Sequence, residues 1–135
     1  MSIVVNKNYY YITSNDLSLI IEEHDGDLLL RHLGRKVNRY HGSNAVHERD
    51  HAFSGQLNPD VRTYSYDTQR QILGLHGLGD FRQPSLKIQH GVSDVTRFEF
   101  LKAEVVRGIS LESKLPYPHS LENAETLIFT LVDKV

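Results

Sequence analysis

Residues 9–33 read YYYITSNDLSLIIEEHDGDLLLRHL, and this stretch decides the fold class. Three runs rich in aromatic, β-branched and aliphatic residues are separated by turn-forming residues, Asn15-Asp16 in the first gap and Asp25-Gly26-Asp27 in the second. Apolar runs of about 4–8 residues between tight turns are typical of strands joined as hairpins. The stretch therefore predicts an antiparallel meander of three strands: Tyr9–Thr13, Leu17–His24 and Leu28–Leu33.

The remainder of the chain carries further strand patterns and no amphipathic helix pattern of about ten residues. The later predicted strands are Val61–Tyr66, Ser85–Gln89, Val95–Val106 and Glu125–Val132. We therefore predict an all-β chain that folds as an antiparallel β-sandwich. The strongest strand pattern ends close to the last residue, Val135, so we expect the sandwich to be truncated at its C-terminal end.

Composition excludes several functional classes. The 135 residues predict a single domain, and fifteen basic against seventeen acidic residues give a net charge of -2. This balance supplies no field to hold a phosphate backbone, so we expect no nucleic-acid partner. Cysteine is absent, which excludes disulfides, Cys-ligated zinc and thiol catalysis. No apolar run of about 18–20 residues and no leader pattern occur, so we expect no membrane association.

The sharpest motif match is His47-Glu48-Arg49-Asp50-His51, which has the H-E-x-x-H spacing of zinc proteases. On a helix this spacing places both imidazoles on one face, with the glutamate as general base. The flanks Gly42-Ser43-Asn44 and Gly55–Pro59 leave room for only about two or three helical turns, and no second helix pattern offers a third ligand. We therefore favour a charged loop and predict no metal and no cofactor; a metalloprotein built on His47 and His51 is the minor alternative.

Carboxylates lie in or beside two long irregular stretches of the chain: Asp50, Asp60, Asp67 and Asp80. Two carboxylates about 5–10 Å apart could hydrolyse a glycosidic bond, but each of these could equally cap a turn or pair with an arginine. The residues alone thus support a β-sandwich whose two loops bear Asp, Arg and His, and such loops commonly carry binding. A stand-alone carbohydrate-binding or assembly domain fits this description.

Four segments, taken in order, resemble one known family. They are RDHAFS at 49–54, RTYSYDT at 62–68, GDFRQPSLKIQ at 79–89 and NAETL at 123–127. The chain is similar to the N-terminal domain of bacterial α-galactosidases of glycoside hydrolase family thirty-six, whose elements read D-R-A-F-S, R-T-F-S-x-D-T, D-F-R-x-P and E-A-E-T-L. The four elements occur in the same order as in the family and together cover essentially the whole chain. On this ground the chain is identified as a member of that family.

The resemblance implies that 1–135 is part of a supersandwich-like N-terminal domain of a larger glycoside hydrolase. The catalytic (β/α)₈ barrel would lie outside this sequence, so we expect no catalytic residue in the chain and no activity from the chain alone. The whole enzyme would hydrolyse terminal α-galactosyl groups of sugars such as melibiose and raffinose with retention. It would be a cytoplasmic homotetramer, with this domain as scaffold and oligomer interface.

The resemblance also assigns roles to individual residues. Asp50 matches the family's galactose-contacting aspartate, so we expect it to bind substrate. Arg62, Asp80 and Arg82 match other motif positions, where an arginine–aspartate network would support the loops. His51 stands where the family usually has arginine, which leaves the shape of the loop and the preferred galactoside open.

Overall fold

The computed structural model describes residues 2–40, 70–75, 83–109 and 123–134. Within these ranges the chain forms two antiparallel sheets and no helix, as predicted for an all-β sandwich. A four-stranded sheet has the order β1-β2-β3-β4, and a two-stranded sheet pairs β5 with β6. The strands are β1 (Ser2–Asn6), β2 (Tyr9–Thr13), β3 (Leu17–His24), β4 (Asp27–Arg35), β5 (Phe98–Arg107) and β6 (Glu125–Asp133).

The first sheet is the predicted meander. Its β3–β4 hairpin turns on Asp25 and Gly26, whose φ angles of 50° and 88° are both positive, as a two-residue turn of the I′ type requires. The carbonyl of Gly26 also accepts a hydrogen bond of 2.7 Å from the amide of Phe100. The turn that closes the hairpin therefore also ties the first sheet to β5.

Two sequence predictions differ from the structure. The strand β1 was not predicted, because its apolar run is short and the turn that joins it to β2 has Lys7 at a φ of 55° where a glycine would have marked the turn. The predicted strand Ser85–Gln89 is wrong, since these residues form no ladder. Instead, the Ser85 amide donates to the Gly74 carbonyl at 2.8 Å, and Thr96 Oγ1 donates to the Ile88 carbonyl at 3.4 Å.

The core lies between the two sheets. Tyr10, Ile21 and Leu28 are buried in the first sheet, and the side chains of the second sheet that pack against them include Phe100, Ala103, Leu127, Phe129 and Leu131. The ring of Tyr10 meets that of Phe129 edge to face, with centroids 4.8 Å apart and an interplanar angle of 86°. This geometry is favourable for aromatic pairs, so the Tyr10–Phe129 contact holds the two layers together.

A further contact joins the edge of the first sheet to β6. The backbone amide of Ile3 on β1 donates a hydrogen bond of 2.7 Å to a carboxylate oxygen of Glu125. Edge strands present unpaired amides that otherwise recruit other chains, and a charged acceptor makes this bond stronger than a neutral one. None of the described residues forms a helix of the length and apolarity that a membrane crossing requires.

The core contact leads to a stability prediction. We expect Phe129→Ala to lower the free energy of unfolding by about 3 kcal/mol, because it removes a ring packed between the sheets and leaves a cavity. Urea denaturation followed by circular dichroism measures this loss. Leu33→Ala is the matched control, since Leu33 is 68% exposed on β4 and its truncation should change stability by less than about 0.5 kcal/mol. Equal losses for the two variants would contradict the proposed core.

Candidate functional site

The residues that the sequence singled out lie outside the described residues: Asp50, Arg62, Asp80 and Arg82, together with His47 and His51 of the H-E-x-x-H match. They belong to two segments, 41–69 and 76–82. The structure does describe the residues that flank these segments and the contacts by which those flanks attach to the sandwich. The site can therefore be built from its anchors.

The chain leaves the end of β4 and is attached to the turn and start of β3 before it reaches residue 41. The Lys36 amide donates to the Asp16 carbonyl at 2.7 Å, and the Val37 amide donates to Ser18 Oγ at 3.2 Å. Ser18 is almost fully buried, so this side-chain acceptor is held in place by its surroundings. These two bonds determine the path of the chain as it approaches Tyr40.

After residue 69 the chain returns to the same sheet. The Leu30 amide donates to the Arg70 carbonyl at 2.6 Å, and the Ile72 amide donates to the Leu28 carbonyl at 2.9 Å. An isolated antiparallel bridge between Leu29 and Gln71 lies between these two bonds. Residues 70–72 thus pair with the outer edge of β4, and both flanks of segment 41–69 are anchored on one sheet.

Segment 76–82 begins where that short pairing ends. Leu75 is buried, and the hydrogen bond from the Ser85 amide to the Gly74 carbonyl, 2.8 Å long, closes the base of the segment. The segments bearing Asp50 and Asp80 are therefore separated by residues 70–75, which span at most about 20 Å when extended.

A buried ion pair lies on the face of the first sheet opposite the core. Arg31 donates through Nε to a carboxylate oxygen of Glu22, and their side chains are only 9% and 10% exposed. Asn8 Nδ2 donates to the second carboxylate oxygen of Glu22 at 3.2 Å. Both oxygens of the buried carboxylate are thus hydrogen-bonded, as burial of a charge demands.

Two tyrosines extend this cluster towards segment 41–69. Burial, together with a hydrogen bond to Glu22 and the negative charge of that carboxylate, raises the pKa of Tyr9 to about 12. The Tyr9 ring packs against that of Tyr40 with centroids 5.8 Å apart. Burial is also the largest cause that raises the pKa of Tyr40. The cluster therefore connects the ion pair on β3 and β4 to the residue that immediately precedes residue 41.

A groove of about 330 Å³ runs beside this cluster, between β1–β2 and residues 36–39. The groove is lined by the aromatic ring of Tyr11, by the amide side chains of Asn6 and Asn38, and by the cationic side chains of Lys36 and Arg39. Such a lining can hold a polar ligand through donors and a ring face. It contains no pair of carboxylates for acid–base catalysis, and the described ranges contain no group of three potential metal ligands.

Sequence reasoning missed the Glu22–Arg31 pair. One signal was present in the sequence: Glu22 lies two residues from Ile20 in a predicted strand, so the two side chains face the same side of the sheet. An acid on the same face as an isoleucine is unusual when that isoleucine is fully buried, as Ile20 is in the structure. Arg31 offered no signal. Ile20 pairs with His32 and Ile21 with Leu30, so Arg31 is the extra residue of a bulge that appears only once the strands are paired.

Comparison with known proteins gives consistent matches. The family model described as the glycosyl hydrolase family 36 N-terminal domain matches residues 26–135. The α-galactosidase AgaA of Geobacillus stearothermophilus is 33% identical over 103 residues, which are 74% of this chain and 14% of AgaA. The crystal structure of AgaB from the same organism superposes with a TM-score of 0.87 at 28% identity, covering 98% of this chain and 19% of AgaB.

A variant of AgaA crystallised with raffinose is also similar, with a TM-score of 0.83 and 28% identity over 93% of this chain. The match covers 18% of that AgaA chain. This chain thus spans less than one fifth of the length of the relatives that it matches.

The raised pKa of Tyr9 leads to a prediction about pH. The ordinary pKa of tyrosine is 10.0 and that of folded Tyr9 is about 12, so the unfolded chain releases this proton first. The contribution of Tyr9 to stability is therefore complete below about pH 10 and is lost as the pH rises towards 12. As the pH is raised from 9 to 11, the free energy of unfolding measured in urea should fall less for Tyr9→Phe than for the parent protein, because phenylalanine has no proton to release.

Selective ¹³C labelling of the tyrosine Cζ atoms measures the same pKa directly, with Tyr9→Phe assigning the resonance. Glu22→Gln should lower the pKa of Tyr9 without returning it to 10.0, because burial is the largest cause of the shift. A Tyr9 resonance that titrates near pH 10 in the parent protein would contradict the described cluster.

Proposed function

The chain belongs to the glycosyl hydrolase family 36 N-terminal domains, and from this premise we propose that it is part of an α-galactosidase that releases terminal α-D-galactosyl residues from oligosaccharides. The observation that carries the proposal is the family match over residues 26–135, supported by the similarity of the sandwich to AgaA and AgaB. This chain spans less than one fifth of the length of those relatives. We therefore assign the activity to a longer protein. In that protein, residues 1–135 would lie in the N-terminal domain, and a separate (β/α)₈ barrel would carry out catalysis.

The proposed substrates are galactosides of the melibiose and raffinose type. The AgaA variant crystallised with raffinose supports this class. Hydrolysis with retention requires a nucleophilic carboxylate and an acid/base carboxylate on either side of the scissile bond. We assign both to the barrel, so this chain contributes none of the catalytic residues, and the reaction needs no cofactor.

The proposed contribution of this chain is to bind the sugar and to provide a scaffold. Asp50 would contact galactose, because a carboxylate accepts hydrogen bonds from adjacent sugar hydroxyls. Arg62, Asp80 and Arg82 would hold the two loops in place around it. The attachment of the two flanks of segment 41–69 to the first sheet supports this assignment, since precise contacts need a rigid base.

The longer protein is proposed to be a cytoplasmic homotetramer in which this domain forms part of the subunit interface. Its partners would be α-galactosides and its own barrel domain, with no nucleic acid and no membrane among them. The alternative function is a stand-alone carbohydrate-binding or assembly domain. The groove lined by Tyr11, Asn6 and Asn38 is the observation that favours it, because one ring face and amide donors suit a sugar.

The role of Asp50 is tested in the longer protein. We expect Asp50→Asn to lower kcat/KM for p-nitrophenyl α-galactoside by about 100-fold, since a lost hydrogen bond to a charged group costs about 1.5–3 kcal/mol. Glu104→Gln is the matched control: it makes the same change of carboxylate to amide at a position where the side chain is 52% exposed. Unchanged kinetics for Asp50→Asn would refute the assignment.

The assignment of catalysis to the barrel is tested with the chain alone. The purified 135-residue protein should release no p-nitrophenol from the same substrate, because it lacks both catalytic carboxylates of the proposed enzyme. Turnover above that of a buffer blank would contradict the assignment. Binding of raffinose to the isolated protein without turnover, measured by calorimetry and lost in Tyr11→Ala, would favour the alternative function.

A further inference from the structure

We propose that the groove beside β1 and β2 binds a small anionic sugar, a monosaccharide that carries a phosphate or a carboxylate group. Its lining contains no residue of the segments 41–69 and 76–82, so the inference does not depend on the proposed α-galactosidase activity. It does build on the alternative function, a carbohydrate-binding domain, and it adds an anionic group to the ligand of that domain.

The floor of the groove is the face of the first sheet opposite the core. Val4 pairs with Tyr11 across β1 and β2, and Tyr11 follows the core residue Tyr10, so both Val4 and Tyr11 point away from the core. Asn6 and Thr13 each lie two residues further along their strands and share this face. Val4 is 55% exposed, so this part of the face is accessible to a ligand.

The wall of the groove is formed by residues 36–39, whose backbone is held against the same sheet. The Lys36 amide donates a hydrogen bond of 2.7 Å to a carbonyl of the turn that precedes β3, and the Val37 amide donates to Ser18 Oγ at 3.2 Å. Ser18 is buried and pairs with Thr13 of the floor. Wall and floor are thus joined before a ligand arrives, and a pre-organised site loses less conformational freedom on binding.

The charge of the lining selects an anion. Lys36 and Arg39 are its charged side chains, and the lining holds no carboxylate, although the whole chain has a net charge of -2. Within the described ranges, no ion pair joins either cation to a carboxylate. A cleft lined by charges of one sign concentrates its field on a ligand of the opposite sign, and the planar fork of an arginine matches two oxygens of a carboxylate or a phosphate.

The remaining side chains of the lining favour a sugar over a bare anion. Asn6 and Asn38 each present an amide that can both donate and accept, as neighbouring sugar hydroxyls require. The ring of Tyr11 and the side chain of Val4 add an apolar surface for the C–H face of a pyranose. A volume of about 330 Å³ is at the lower end of the range for small-molecule sites, about 300–1,000 Å³, which suits one sugar ring.

The test measures binding to the 135-residue protein by isothermal titration calorimetry, with galactose 6-phosphate, galacturonate, galactose and inorganic phosphate as probes. We expect both anionic sugars to bind at least about tenfold more tightly than galactose, because hydrogen bonds to an ionised group are stronger than neutral ones. Inorganic phosphate should bind about tenfold more weakly than galactose 6-phosphate, because it has no ring to pack on the floor. The tighter of the two anionic sugars identifies the anionic group that the groove prefers.

Replacements in the groove locate the binding. Lys36→Gln and Arg39→Gln should each weaken the binding of galactose 6-phosphate by about tenfold, and Tyr11→Ala should weaken it without affecting inorganic phosphate. The matched controls are Lys102→Gln and Arg97→Gln, which make the same changes outside the groove at side chains that are 53% and 47% exposed. Both controls should leave the affinity unchanged.

Chemical shifts of the backbone amides provide a second measurement that needs no variant. Titration of the parent protein with galactose 6-phosphate should move the resonances of residues 4–6 and 36–39 most. Shifts confined to other residues, equal losses of affinity in groove and control variants, or no binding of either anionic sugar would overturn the proposal. Raffinose separates the proposal from the alternative function, because a groove that binds this neutral sugar as tightly as the anionic ones would support a carbohydrate-binding domain and refute the anion site.

Discussion

The structure depends on the two-residue period of β2 and β3, which sends neighbouring side chains to opposite faces of the first sheet. Tyr10 and Ile21 point to one face and form the core with the second sheet. Tyr9 and Glu22, each one residue away, point to the other and form the polar cluster with Arg31. A shift of one residue in the pairing would exchange these sets, placing a carboxylate against Phe129 and two apolar side chains in the polar cluster.

Both faces of the first sheet carry buried side chains. On the side away from the core, Ser18, Ile20 and Leu29 are almost completely buried, so this face is covered rather than open to water. Residues 36–37 attach to it at one point, and residues 70–72 pair with its β4 edge. The segments bearing the predicted sugar-contacting residues are therefore anchored on one sheet, which is the part of the domain whose register is most strongly specified.

The charged residues of the domain differ in what they contribute. Exposed pairs such as Lys102–Glu104 and Lys87–Asp94 are screened by water and add little to stability. The Glu22–Arg31 pair is buried, satisfied by Asn8 and linked to Tyr9, so loss of either partner would leave an unpaired charge in a dry environment.

The sequence by itself determined the local features. The strands β2 to β6 and the Asp25-Gly26 hairpin follow from period, composition and turn residues, because these act over a few neighbouring residues. The order of four motifs also indicated the family, which the match over residues 26–135 confirms. The candidate sugar contact, Asp50, stays a prediction from that resemblance.

Only the tertiary structure decided which residues meet. The Ser85–Gln89 run has strand-like composition but forms no ladder in the described part of the chain. In contrast, β1 is a strand because β2 offers it a ladder. The bulge at Arg31 exists only in the register between β3 and β4, and through it Arg31 reaches Glu22, nine positions earlier in the chain. These features depend on pairing between separate segments, and a sequence pattern records no such pairing.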